Sequence, residues 1–221
     1  MGHHDLMRMF DRALRRAGLP LAYSAGYNPR PQISFPTALA LGIESAEEIF
    51  EVELVRWTAP RRARERLEKE LPEGIGIVSV LSVPHAQKAE VAQADFVIDG
   101  VLPFEDMCGL IRAFMDKSEA PVVRAGGSRT KSVNVRKFVE TVRVDSSRMF
   151  MTLRIGPGGA ARPEEVVAAI LECPVGDLPD DLMITRTRLR LTAPPQKSGE
   201  KHGEKDAHQH GRPGRMPGGC C

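Results

Sequence analysis

FVETVRVDSSRMFMTLRIGPGGAARPEEVVAAIL spans residues 138–171, and its pattern predicts half of a small α+β unit. Apolar residues alternate over 138–144 and again over 149–155, on either side of the polar turn sequence DSS, so the segment predicts a β-hairpin. The sequence RPEE at 162–165 then predicts a helix start, because proline suits the first helical position and carboxylates are favoured at the positive end of the helix dipole.

The residues around this stretch complete a ferredoxin-like order. A strand around 96–98 and a helix with an apolar stripe over 104–115 precede the hairpin, and a strand over 183–191 follows its helix. The order strand, helix, strand, strand, helix, strand predicts an antiparallel sheet with two helices on one face. In the last strand we expect Arg186, Arg188 and Arg190 to share a face.

Residues 1–85 show the same order without an opening strand. An amphipathic helix over 5–17 is followed by strands at 33–35 and 48–55, a helix from residue 60 and a strand over 75–83. The predicted fold class is therefore α+β, with two tandem ferredoxin-like units over 1–85 and 90–191, the first missing its opening strand. We expect either a truncated chain or a misplaced start codon.

Residues 192–221, rich in Pro, Gly, His and Lys, predict a disordered C-terminal tail.

Composition excludes several classes of protein. Hydrophobic residues make up 42% of the 221 residues and charged residues 27%, as in ordinary globular proteins. No apolar run approaches the roughly 20 residues that a membrane-spanning helix needs, so we expect no membrane partner. The net charge is only +2, and attraction to nucleic acid therefore requires local clusters of basic residues.

The cysteines and the N-terminal sequence limit the cellular compartment and the kinds of cofactor that we expect. Four cysteines, at 108, 173, 220 and 221, form no CxxC pair and no closely spaced triplet. We therefore expect no iron–sulfur cluster, no disulfide framework and no cofactor. The sequence shows no secretory signal, so we expect a cytoplasmic protein.

The first candidate site opens the N-terminal helix. Two adjacent histidines and Asp5 could ligate a metal or relay a proton. The alternative is that the histidines are solvated and Asp5 caps the helix, and we favour it, predicting no metal site and no catalytic residue. His4, Asp5 and Arg8 remain candidates for binding substrate, since Arg8 begins a row of arginines along the helix.

The second candidate is the segment YSAGYNPRPQISF, residues 23–35, here named the tyrosine loop. Its prolines stiffen the backbone, so Tyr27, Asn28 and Arg30 could be held in fixed positions to stack on a base or grip a phosphate. The alternative is a buried connector whose tyrosines fill the core.

The third candidate is a basic segment over 124–137, with five cations and no acid. Glycines beside cations suit phosphate contact, and Lys131 and Arg136 are the predicted contacts. The alternative is a solvated loop.

HHDLMRMFDRALRRAGLPLAYSAGYNPRPQISFPTALALGIESAEEIFEVEL, residues 3–54, resembles the start of the radical-SAM-linked domain family. The resemblance lies in a His-x-Asp-x-x-Arg helix start at 3–8, RALRRAGLPLAYS at 12–24, GYNPRP at 26–31 and a leucine-rich stretch with a Glu-Ser pair at 39–45. RPEEV at 162–166 and TRTRL at 185–189 extend it over residues 3–191.

The resemblance implies an accessory role beside a radical SAM protein, with RNA or ribosome-linked substrates. We therefore expect a non-catalytic, substrate-recognition partner of a separately encoded radical SAM enzyme, acting on RNA. Two alternatives stay open. One is a stand-alone enzyme acting on RNA phosphodiesters through His4, Asp5 and the tyrosine loop, and the other is a protein–protein interaction module.

Overall fold

The computed structural model describes residues 2–85, 87–100, 106–126, 129–145 and 147–192. Its elements, in chain order, are α1 (His3–Arg16), β1 (Ile33–Ser34), β2 (Ile43–Ser45), β3 (Glu51–Val52), α2 (Pro60–Glu68), β4 (Val91–Asp99), α3 (Met107–Asp116), β5 (Pro121–Gly126), β6 (Arg129–Asn134), β7 (Val139–Asp145), β8 (Arg148–Gly156), β9 (Gly159–Ala160), α4 (Pro163–Leu171) and β10 (Met183–Leu191).

The C-terminal half forms one sheet with the strand order β10-β4-β8-β7. All neighbours among these four strands are antiparallel, and α3 and α4 connect them in the order that the sequence predicts. This is the ferredoxin-like arrangement, so the α+β fold class is confirmed. The hairpin of β5 and β6 is an addition between α3 and β7.

Strand periodicity places the main core on the helix side of this sheet. Ile98 of β4 and Met149 and Met151 of β8 point to that side and are almost completely buried. They pack with Met107 and Phe114 of α3 in one hydrophobic cluster. The other side of the sheet carries the alternate, more polar residues, as expected for an antiparallel sheet with one covered face.

The N-terminal half has its own smaller core around α1. Leu6, Phe10 and Leu14 of α1 are buried at helical spacing. Phe10 meets Phe50 with ring centroids 4.2 Å apart, beside the short antiparallel pair of β1 and β3. The amphipathic pattern of the first helix is thereby confirmed.

The strand predicted over 75–83 does not form. These residues have no strand pairing, and the Val78 side chain is 76% exposed. The alternation of apolar residues there is typical of a strand, but a strand also needs a neighbour to take its main-chain hydrogen bonds. The prediction is wrong for this reason.

The shared face predicted for three arginines of β10 is also wrong. Arg186 pairs with Phe96 and Arg188 with Asp95, so Thr187 is an extra residue in a β-bulge. A bulge of one residue reverses the side-chain alternation beyond it. Arg186 therefore faces the core and is only 4% exposed, while Arg188 is exposed on the opposite face.

The two halves meet through β2 and Arg186. β2 runs parallel to β10 and extends the C-terminal sheet with a strand from the N-terminal half. The Arg186 guanidinium donates to the Glu48 carboxylate, at 2.9 Å from Nε and 2.6 Å from Nη2, and to the Ala38 carbonyl. The contact between the two halves, here named the seam, is thus held by main-chain pairing and one buried ion pair.

The tail predicted over 192–221 lies outside the described residues, apart from Thr192. Across the described ranges, no helix has the length and apolar character to cross a membrane.

Candidate functional site

A groove of about 650 Å³ runs between α1 and residues 69–72, which follow α2. Arg8, Arg12 and Arg16 line it from α1, because a spacing of four residues puts them on one face of the helix. Asp5, Lys69 and Glu70 complete its charged lining. The sequence pattern identified Arg8, whereas Lys69 is distant in sequence and was missed.

The groove carries unpaired positive charge. Arg16 is held by Glu70, with 2.9 Å between Nε and Oε2 and a further bond to the Glu70 carbonyl. Arg8, Arg12 and Lys69 are exposed and form no ion pair within the described part of the chain. Like charges four residues apart weaken a helix by a few tenths of a kcal/mol. The groove therefore suits an anionic ligand that would offset this repulsion.

His4 and Asp5, in the first turn of α1, have different roles. The Gly2 amide donates to the Asp5 carboxylate at 3.2 Å, so Asp5 caps the first turn of α1. His4 is exposed, and the neighbouring His3 ring lies edge-on to Phe35 at 5.3 Å. Within the described ranges, no group of three His, Cys, Asp or Glu side chains is placed to hold a metal ion.

The tyrosine loop is closed by hydrogen bonds at its base. The Ser24 amide donates to the Arg30 carbonyl at 2.9 Å, and the Arg30 amide donates to Ser24 Oγ at 3.1 Å. The Gln32 side chain adds a bond to the Tyr23 carbonyl at 3.3 Å. Gly26 takes a φ of +126°, which a glycine adopts without strain. These hydrogen bonds fix the two ends of the loop tip, residues 25–29.

The loop presents its side chains to solvent. Tyr27 is fully exposed and Tyr23 is 43% exposed, so the alternative in which the tyrosines fill the core is wrong. Asn28 and Arg30 are exposed beside Tyr27. The Arg15 guanidinium carbon lies 5.4 Å from the centroid of the Tyr23 ring, and this contact joins the loop base to α1.

Lys131 and Arg136 lie in the C-terminal half, away in sequence from α1 and the loop. Lys131 is exposed on β6 and has no ion pair among the described residues. The Arg136 guanidinium donates to the Met115 carbonyl at 2.9 and 3.1 Å and to the Val139 carbonyl at 3.2 Å. Arg136 therefore closes the end of α3, and its predicted phosphate contact stays a prediction.

Arg124, also in the predicted basic segment, is bound to a buried carboxylate. Its Nη2 donates to Glu165 at 2.7 Å and to the Ala160 carbonyl at 2.7 Å, and Glu165 is 3% exposed. The hydrogen bond to Glu165 raises the pKa of Arg124. Glu165 also accepts the Arg162 amide at the start of α4. No local spacing links residues 124 and 165, so sequence patterns contain no signal for this pair.

The chain matches no curated protein and no solved structure. Residues 1–163 match the bacterial family described as "Uncharacterized protein conserved in bacteria (DUF2344)", a match that includes the groove, the tyrosine loop and the basic segment. Because it covers more than half of the 221 residues, the chain belongs to the DUF2344 family.

Proposed function

We propose that this protein is a non-catalytic accessory protein that recognises RNA for a separate radical SAM enzyme in the cytoplasm. The observation that carries the RNA part is a group of cations in the groove along α1, Arg8, Arg12 and Lys69, which form no ion pair with any described residue. The radical SAM part is supported by the sequence resemblance of residues 3–54. RNA binding and binding to a radical SAM enzyme are tested by separate experiments.

The groove and the loop would divide the work of recognition. Cations in the groove would neutralise phosphates, which supplies affinity without sequence preference. The exposed Tyr27 ring would stack on an unpaired base, and Asn28 and Arg30 beside it carry hydrogen-bond donors for base edges or phosphate. A looped or single-stranded RNA offers both features at once.

A stand-alone phosphodiesterase has less support. Such a reaction needs a general base and acid within hydrogen-bond reach of the reacting atoms. Asp5 accepts the Gly2 amide and serves the helix start, which leaves only the exposed His4 side chain of the pair for acid–base chemistry. Turnover of a labelled RNA by the purified protein alone would contradict the non-catalytic role.

Contact with a protein partner has one specific observation in its favour. Trp57, the single tryptophan of the chain, is 78% exposed, and Val55 two residues earlier is 67% exposed. Exposed aromatic residues are typical of protein–protein interfaces. An accessory protein needs such a contact with its enzyme, so Trp57→Ala should weaken co-purification of the radical SAM partner without changing RNA affinity.

The RNA proposal is tested by titrating a stem–loop RNA at several salt concentrations. Replacing Arg8 and Arg12 by alanine should lower the slope of log K against log salt by roughly 0.7–0.9 for each phosphate that the variant no longer neutralises. Arg61→Ala is the matched control, because Arg61 is exposed on α2 and paired with Glu65. Equal slopes for the double variant and the control would contradict the proposal.

Tyr27→Ala should weaken RNA binding through a different physical effect. Removal of one stacked base weakens binding by about 1–3 kcal/mol with little change in the salt slope. Since Tyr27 is fully exposed, the substitution leaves the core intact, and the unfolding transition should not move. An unchanged affinity would show that no base stacks on the loop.

A further inference from the structure

The face of the C-terminal sheet opposite α3 and α4, here named the open sheet face, carries one aromatic residue on a central strand. Four residues form a row across it in register: Thr185 of β10 lies opposite Val97 of β4, Val97 opposite Phe150 of β8, and Phe150 opposite Arg143 of β7. These side chains are partly or fully exposed. The row forms an accessible strip across the sheet.

Three carboxylates near this row are neutralised by ion pairs. Asp95 pairs with Arg190, Asp99 with Arg148 and Glu140 with Arg154, each at 2.7 Å. Arg143 and Arg188 are exposed and have no ion pair within the described residues. These two guanidinium groups on the open sheet face are therefore available to bind an anion.

Arg143 is held against the aromatic ring. Its guanidinium carbon lies over the Phe150 ring, 4.0 Å from the centroid. A guanidinium placed over a ring presents a planar, charged surface with free donors. Bases of single-stranded RNA stack on such planes, while the donors at the edge can reach a phosphate.

We propose that the open sheet face binds single-stranded RNA, with a base stacked on the outer face of the Arg143 guanidinium, which the Phe150 ring supports from below. This rests on the proposed RNA function and adds a second contact surface to the groove along α1. Single-stranded RNA is the occupant that this chemistry suits, because it offers phosphates to the free guanidinium donors and an unpaired base to the planar Arg143 group.

The test uses a fluorescent oligouridine of about eight nucleotides, which matches the site size of single-stranded RNA-binding domains. Arg143→Lys keeps the charge and removes the planar group, so the affinity should fall roughly 5- to 150-fold with an unchanged salt slope. Arg154→Lys is the matched control on the same face, since Arg154 is exposed and paired with Glu140. Its affinity should stay close to that of the wild type.

The outcomes separate this inference from the proposed function. If Arg143→Lys binds as tightly as the wild type, no base stacks there and the inference is overturned, even where the Arg8 and Arg12 double variant loses affinity. If Arg143→Lys loses affinity and the double variant does not, the open sheet face is supported and the groove is not. Absence of any binding by the wild type at low salt overturns both.

Discussion

Arg186 and Glu48 form an ion pair in the interior, with side chains 4% and 15% exposed. Arg186 also donates to the Ala38 carbonyl, and the Ser45 hydroxyl donates to Glu48. A buried pair adds little over an apolar pair of the same shape, but removing one partner leaves an uncompensated buried charge. The residue at position 186 thus decides whether the seam between the two halves is stable.

Arg186→Ala should therefore lower the free energy of unfolding by about 3–5 kcal/mol. Arg190→Ala, further along the same strand, removes an exposed arginine from its pair with Asp95 and should cost about 0–1 kcal/mol. Urea unfolding of both variants provides the comparison. Similar decreases in the two would show that the seam pair does not hold the halves together.

Glu164 at the start of α4 gives a prediction about pH. Its Oε2 atom is buried without a hydrogen-bond partner, and this burial raises the pKa of Glu164. In the unfolded chain the carboxyl ionises near its ordinary pKa, about 4.3. Between the two pKa values the folded state binds more protons, so stability falls as the pH rises through that range.

Glu164→Gln should accordingly raise the free energy of unfolding at neutral pH, and the gain should vanish below about pH 4. Glu172→Gln is a control of opposite sign, because a hydrogen bond from Lys117 lowers the pKa of Glu172. The Lys117–Glu172 pair contributes stability at pH values above the pKa that Glu172 has in the unfolded chain. This contribution is lost as the pH falls. Urea unfolding at two pH values measures both, and a decrease in the stability of Glu164→Gln at neutral pH would refute the account.

Side-chain roles of the arginines are the least predictable feature at this scale. Sequence patterns place Arg124 in a basic segment and Arg186 on a strand face shared with other arginines, yet each binds a carboxylate more than 40 residues away. Local spacing carries no information about such partners. Arg8 is predictable, because helical spacing alone determines which face of α1 it occupies.

Among the elements, the turn after β4 requires glycine both for its dihedral angle and for its close backbone contacts. Gly100 has a φ of +141°, and a Cβ atom there would lie 3.2 Å from Leu182 Cα and 3.3 Å from the Asp181 carbonyl oxygen. The close approach brings the start of β10 against the end of β4. Only glycine fits both the dihedral angle and the space.

Gly100→Ala should therefore destabilise the protein by roughly 1–3 kcal/mol. Gly76→Ala is the control, since a Cβ there meets no atom within 4 Å. Thermal unfolding should show a clear decrease in Tm for the first variant and little change for the second. Equal Tm values would mean that the turn relaxes without cost.

Elements with strong local signals are predicted well from the sequence. The β7–β8 hairpin and the start of α4 follow from alternation, turn residues and the proline at the first helical position. The strand over 75–83 fails, and the bulge at Thr187 is missed, because strand pairing is a property of two segments and a single segment does not encode its partner.

At the scale of the whole molecule, the proposed RNA contacts lie on different surfaces of the two halves. The N-terminal half has the α1 groove and the tyrosine loop, and the C-terminal half has the open sheet face. Sequence patterns locate the loop and part of the groove. Lys69 and the row of Arg143 and Phe150 need the tertiary structure, since they depend on the packing of distant segments.

The central claim is that RNA occupies the α1 groove, and lysine acetylation of the wild-type protein tests it directly. Lys69 lines the groove, whereas Lys88 is exposed outside it and serves as the internal control. With a saturating stem–loop RNA, the account predicts that acetylation of Lys69 slows several-fold while that of Lys88 is unchanged. Equal rates at Lys69 with and without bound RNA would contradict the account.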